Sequence, residues 1–280
     1  GQLLDGDVAG KPAADVIWGG EALWYAGVEG LSSGLEPVQR EIGAFALAEG
    51  LADGKKGTPA AYADLLAASL AGRVALCDPT SCEAGWLHLV AMLSEASGTS
   101  AGGTLGDDVS WAFVQELLAE GAAVCADEDA ALQALLDGNA DVALVSEQCA
   151  RQLARRTGQT TVAWPESAVG VADACAGAVE GCLNERQAEA FVEFLAGHDG
   201  QQVVADALAR PVADDVQVAG GDDVPANDDV EVVATDADTA AKQREEILAT
   251  WARVLAGEWT PAAAEEDAAE DGGEAGEAKA

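Results

Sequence analysis

The chain has 280 residues, enough for one large or two medium domains with substantial cores. Its 50 acidic against 14 basic residues give a formal net charge of −36. Such a surface repels nucleic acid and anionic lipid, which excludes both as partners, and an anionic ligand has to be held by local backbone dipoles against that field.

Much of the acid lies in 214–238 and 258–277, where it serves solubility. No run of ~18 apolar residues occurs, so this segment does not insert in a membrane. The chain opens at Gly1 without a methionine and shows no signal peptide, and we expect an N-terminal portion to be missing. The six cysteines are Cys77, Cys82, Cys125, Cys149, Cys175 and Cys182. Their even number fits disulfides in an oxidising compartment. Two pairings are considered, Cys175 with Cys182 across a short return and Cys125 with Cys149 at neighbouring strand ends. Six buried free thiols are the alternative. With no C-x-x-C and only two histidines, a zinc site has no support.

Taken in order, residues 15–18 read as a short strand ending at Gly19–Gly20. There Trp18, Gly19, Gly20 and Glu21 line a cleft, or the glycines merely permit packing. A helix over 21–29 carries Leu23, Trp24 and Val28. Residues 42–47 read as a strand leaving one sheet for another, and 55–58 as a polar break. Thr58–Pro59 then caps a helix with Tyr62, Leu65, Leu66 and Leu70 on its apolar face, ended by Gly72.

The stretch 73–93 organises the rest. Residues 73–77 read as a buried strand stopped by Asp78 and Pro79. Thr80, three residues before Glu83, forms a capping box for a helix carrying Trp86, Leu87, Leu89, Val90 and Leu93. The N–H groups of Ser81, Cys82 and Glu83 are then expected to be unpaired at the strand's carboxyl end. Open α/β sheets bind ligands there, and a helix N-terminus favours an anion. The simpler reading is an ordinary capped turn.

A polar loop over 94–108 leads to a helix over 110–120. A strand over 122–126 follows, then a helix over 128–137 capped by Asp127, a strand over 141–145, a helix over 147–157 capped by Ser146, and a strand over 160–164. This strict alternation argues a mostly parallel α/β sheet. Residues 170–181 read as an extended return. Asn184 and Gln187 open a helix whose stripe is Ala188, Phe191, Val192, Phe194 and Leu195, and a further helix covers 199–209. Residues 212–235 read as an acidic loop, 238–255 as an amphipathic helix, and 258–280 as a disordered tail.

His88 and His198 lie far apart, and His88 sits among core positions, where a histidine is a packed residue rather than a base. There is no G-x-S-x-G, Walker loop or G-x-G-x-x-G. Nothing forms a catalytic constellation, so neither an enzyme nor a cofactor is expected.

The order of motifs says more than any one of them. KPAADVIWGG, TPAAYADLL, LAGRVALCDPTSCEAG, DGNADVALV, TTVAWPES and GCLNERQAEAFVEFLAGHDGQQVVAD, then ARPVADDV and REEILATWARVL, resemble successive segments of bacterial extracellular solute-binding proteins of ABC importers, the type that includes ferric-ion, thiamine and phosphonate binders. The resemblance covers 11–255 and implies a two-lobe, type II periplasmic-binding-protein fold. Residues 1–57 and 166–212 would build one lobe, incomplete at its N-terminal unit, and 58–165 the other. Residues 42–47 and 170–179 would cross between them, followed by the acidic loop and helix over 213–257 and the tail over 258–280.

It also implies a cleft between Trp18, Gly19, Gly20 and Glu21 on one wall and Thr80, Ser81, Cys82 and Glu83 on the other. The ligand is then a small polar or anionic organic solute held near Ser81, with Glu147 or Gln148 meeting any cationic part. Ferric-ion binders of this type use two adjacent tyrosines at positions that here read Gln148 and Cys149. The chain holds only Tyr25 and Tyr62, so no tyrosinate iron site and no metal are expected. The implied protein is a periplasmic or extracellular monomer, lipid-anchored through an upstream cysteine, that delivers its solute to a membrane permease. The alternatives are a ligand-sensing module of the same fold, a ferric receptor without a tyrosine pair, an enzyme on this architecture, and an inactive remnant.

Overall fold

The computed structural model describes residues 11–25, 30–31, 34–51, 57–98, 105–220, 224–233 and 237–261. The strands are β1 (Val16–Glu21), β2 (Glu36–Ala48), β3 (Val74–Cys77), β4 (Ala123–Cys125), β5 (Val142–Ser146), β6 (Thr160–Ala163) and β7 (Val171–Ala178). The helices are α1 (Glu83–Ser97), α2 (Asp108–Ala119), α3 (Glu128–Leu136), α4 (Glu147–Thr157), α5 (Glu185–Ala196), α6 (His198–Asp206) and α7 (Ala237–Leu255).

The strands run in the order β1-β7-β2-β5-β3-β4, with β6 also on β2. β2 has 13 residues, and its two halves do different work. Glu36–Ile42 pair antiparallel with β7. Gly43–Leu47 pair antiparallel with β5, and Phe45–Ala48 with β6. The composition explains the change. EPVQRE carries Glu36, Gln39, Arg40 and Glu41 and is buried only at Val38, whereas Gly43–Leu47 are buried throughout. The strand expected over 42–47 is thus the second half of a longer one. Pairing is parallel only across β4, β3 and β5, so the sheet is mixed rather than mostly parallel.

One core lies on the α1, α2 and α7 side of the sheet, around Leu76, Met92, Trp111, Leu144 and Trp251. A second lies on the α3 and α4 side, around Ala75, Leu132, Ala143, Val145 and Leu153. A third joins β2 and β7 to α5 through Val38, Ala176, Val179 and Val192. Helix α1 is buried from Ala84 to Ser94. Glycines make this possible. A Cβ on Gly85 would lie 2.5 Å from the Cys77 carbonyl oxygen, and one on Gly170 would strike the Leu87 backbone.

His88 on α1 is fully buried, with Nδ1 2.8 Å from the Tyr62 hydroxyl and Nε2 2.9 Å from the Val145 carbonyl oxygen. A carbonyl only accepts, so Nε2 carries the proton and Nδ1 accepts from Tyr62. Burial pushes the imidazole down to about 4, which keeps it neutral.

Several local expectations change. The helix expected after Thr58–Pro59 is two short 3-10 turns, Tyr62–Leu66 and Ala68–Leu70, although Tyr62, Leu65 and Leu70 are buried as read. The Asp64 carboxylate takes the N–H groups of Ala60 and Ala61, and Glu95 of α1 takes those of Tyr62 and Ala63. Side-chain acceptors thus replace the helical ladder. Of the helix expected over 21–29, only a 3-10 turn at Ala22–Tyr25 is seen, and 26–29 lie outside the described residues. So do residues 55–56 of the polar break and 262–280 of the tail. All six cysteines are free thiols, which corrects both disulfide pairings. Cys175 turns its thiol to the Asp173 carbonyl, and Cys182 packs with Val38 and Val192.

Candidate functional site

The carboxyl ends of β3 and β5 and the crossing strands β2 and β7 converge on one region. β1 brings one wall to it, by a route the sequence did not show. The strand continues through Gly19 and Gly20, both at positive φ, as a bulge between Trp18 and Glu21. The bulge separates the expected wall. Trp18 is half-exposed and packs edge-on against Phe191 of α5, their centroids 5.9 Å apart. Glu21 faces Trp86 and Leu87 of α1 and Ile247 of α7 across a cavity of about 40 Å³, room for a water rather than a solute.

The opposite wall is a turn already satisfied from within. Asp78 Oδ1 accepts from the Thr80 N–H (2.9 Å) and hydroxyl (2.7 Å). The Asp78 carbonyl accepts the N–H groups of Ser81 (3.2 Å) and Cys82 (3.0 Å). Ser81 Oγ donates to the Ala126 carbonyl at 3.0 Å. The expected capping box is absent, because Thr80 is engaged by Asp78 and the N-cap is Cys82. The expected cradle of free N–H groups at Ser81 and Cys82 is therefore not available to an anion.

Glu83, first residue of α1, lies 3.9 Å from Arg244 of α7, whose guanidinium stacks 4.4 Å above Trp86. Glu147 occupies the same position on α4, but its carboxylate is buried. It accepts from Arg210 at 2.6 and 3.0 Å and from Trp164 Nε1 at 3.1 Å, with Arg151 at 3.8 Å. Arg210 is itself held by Asn227 at 3.1 Å. Glu147 is thus a buried anion held by two arginines and a tryptophan. Gln148 does reach the crossing strands, accepting from Gln39 of β2 at 3.0 Å.

The sequence reading missed the residues of β2 and its neighbours. Gln39 and Glu41 project from the polar half of β2. Arg40 pairs bidentately with Asp173 of β7 at 2.8 and 3.0 Å. Glu128 of α3 accepts the Ser146 N–H at 2.6 Å. Burial, then the charge of Glu83, pushes Glu21 up to about 7. Burial, then Glu128 and Glu83, pushes Glu41 up to about 7. Arg244 works against the rise at Glu21 but leaves a net excess of carboxylate charge there. The signal was present in EPVQRE, a mainly polar stretch beside a wholly apolar run.

The relatives agree with this architecture. A family model for bacterial extracellular solute-binding proteins matches residues 2–207. No curated protein is similar in sequence. The substrate-binding protein of an ABC transporter from Agrobacterium tumefaciens superposes with a TM-score of 0.68 at 16% identity, covering 88% of this chain and 80% of that one. A periplasmic thiamin-binding protein gives 0.67 at 19%, covering 86% and 79%. Iron-bound HitA from Pseudomonas aeruginosa gives 0.65 at 17%, covering 85% and 82%. Their fold is the mixed α/β fold of type II periplasmic binding proteins, the fold seen here. With a family match over most of its length and strands crossing between two helix-covered halves of its sheet, the chain belongs to the bacterial extracellular solute-binding proteins, which bind solutes and are not enzymes.

Proposed function

We propose that the chain is the receptor of an ABC-type importer, working outside the cytoplasm, which closes over a small polar solute carrying positive charge and passes it to a membrane permease. The observation that carries this reading is the excess of carboxylate charge from Glu21, Glu41 and Glu83, on three different elements beside Gln39 and Gln148, which Arg244, 3.9 Å from Glu83, offsets only in part. A cationic group placed there relieves their repulsion and donates hydrogen bonds to acceptors already in place. The anionic solute expected from the helix N-terminus is disfavoured, because Asp78 engages the N–H groups it would use. A tyrosinate iron site is disfavoured as well, since Tyr62 bonds His88 in the core and Tyr25 bonds the Gly19 carbonyl.

In this reading 58–165 form one lobe and 166–212 return to the other. β2 and β7 are the hinge, and the ligand acts by binding the closed state more tightly than the open one. The receptor works as a monomer. Equilibrium dialysis of the full chain against spermidine, thiamine, ferric iron, fructose 6-phosphate and methylphosphonate tests it. Retention of an amine-bearing member is expected. Retention of only the phosphate or phosphonate contradicts the charge assignment, and retention of only iron contradicts the reading of the tyrosines.

A further inference from the structure

Four of the six cysteines gather at the carboxyl ends of the parallel strands. Cys77 ends β3 and is the register partner of Cys125 on β4, with Cys82 and Cys149 packed into the same core. Among the described residues no three side chains are placed to hold a metal ion, so the chemistry of these thiols lies with each other. Two of them are in direct contact. The Asp78 carbonyl gathers the N–H groups of Ser81 and Cys82 into a tight turn, which folds residue 82 back over residue 77. Gly85 lets α1 seat against the Cys77 carbonyl, and the thiol of Cys77 hydrogen-bonds the sulfur of Cys82.

The two sulfurs are not equivalent. Cys82 is half-buried at the N-cap of α1, and the N–H groups of Ala84 and Gly85 point at its sulfur. Cys77 is completely buried, 3.7 Å from the Leu144 carbonyl oxygen. Glu128 from α3 faces both and opposes their ionisation, as does Cys125 from β4 towards Cys77. Even so, the Cys77 hydrogen bond and the helix N–H groups bring Cys82 down to about 7, while Cys77 moves far up. The remaining thiols are all raised, Cys149 to about 12 by burial and Glu128.

We propose that Cys82 and Cys77 form a reactive thiol pair that exchanges with low-molecular-weight disulfides, Cys82 as the attacking sulfur and Cys77 as the resolving one. The Cys82 thiolate attacks one sulfur of the small disulfide, forming a mixed disulfide and releasing one small thiolate, which takes up a proton. Cys77 then loses its proton and attacks Cys82 Sγ, closing the internal disulfide and releasing the second small thiolate. One small disulfide is reduced to two thiols, and the pair is oxidised by two electrons.

Incubating the full chain with oxidised glutathione and mapping its peptides without reduction tests this. We expect one internal link between 77 and 82 and a mass lower by two hydrogens. Cys77→Ser is expected to stop at glutathione on Cys82, and Cys82→Ser to give neither product. Alkylation of native wild type by iodoacetamide is expected first at Cys82, with a pH midpoint of about 7, a measurement that does not depend on either variant folding. A link between 125 and 149, first reaction at another cysteine, or reaction only after denaturation overturns the proposal.

Discussion

Helices α1 and α4 begin alike and end up with opposite roles. Each follows a wholly buried strand, each opens with a glutamate, and each points its N-terminus towards the crossing strands. At α4 the opening glutamate, 3% exposed, is closed off by Arg210, which bridges to Arg40 of β2. At α1 it is 19% exposed and meets Arg244 only at 3.9 Å. One N-terminus is a buried lock between distant segments, and the other is loosely paired with Arg244 beside Glu21. The same local pattern thus yields a structural element or a chemical one, according to how closely a distant cation reaches it.

The sharpest way to break this comparison is to remove the two glutamates in turn. Glu147→Ala leaves Arg210 buried without its partner and is expected to cost about 3–5 kcal/mol in urea unfolding. Replacing both by Glu147→Leu and Arg210→Met is expected to recover most of that. Glu83→Ala is expected to cost less than about 1 kcal/mol.

His88 ties the two regions together, since α1 carries it and the end of β5 receives its proton. Its folded value of about 4 lies below the ordinary 6.5, so the unfolded chain binds the proton first. Stability from this group is complete above pH 6.5 and is lost as pH falls to 4, by about 3 kcal/mol. Glu21 and Glu41 act in the opposite sense. Their raised values make stability fall as pH climbs from 4.5 through about 7. Acid titration of unfolding is therefore expected to steepen between pH 6.5 and 4 in Glu21→Gln/Glu41→Gln, where only the histidine still acts.

Gly85→Ala drives a Cβ into the Cys77 carbonyl and is expected to cost about 1–3 kcal/mol, with loss of the contact between the two sulfurs, read by Cys82 alkylation. The smallest contrast lies in the caps. Ser146 accepts the Cys149 N–H at 3.4 Å, and Ser146→Ala is expected to cost about 1 kcal/mol. Thr80→Ala, which removes no cap, is expected to cost about 0.5 kcal/mol or less. Equal losses at the two positions contradict the capping assignment.

The region from β3 to β6 was legible because β3 and β5 are buried on both faces and α3 and α4 carry caps that act as read. Asp127 receives the Ala130 N–H at 2.8 Å, as its place before α3 suggests. The turn at Thr80 misled because Asp78, two residues earlier, competes for the same hydroxyl and N–H. Local spacing does not reveal which acceptor wins. Glu147 misled for a different reason, since Arg210 lies 63 residues later and only the fold brings it near. The bulge in β1 turned Trp18 away from Glu21 without any change in hydrophobic pattern. The family resemblance supplied the architecture. The charge of the proposed cleft came only with the residues of β2.

The most direct test is the unfolding midpoint of wild type and Glu21→Gln/Glu41→Gln with spermidine or thiamine, at pH 8 and pH 5. The account expects a rise in wild type that is larger at pH 8, where both glutamates are ionised, and is lost in the variant. A rise that persists in the variant, or one confined to fructose 6-phosphate or methylphosphonate, contradicts a cation-binding cleft.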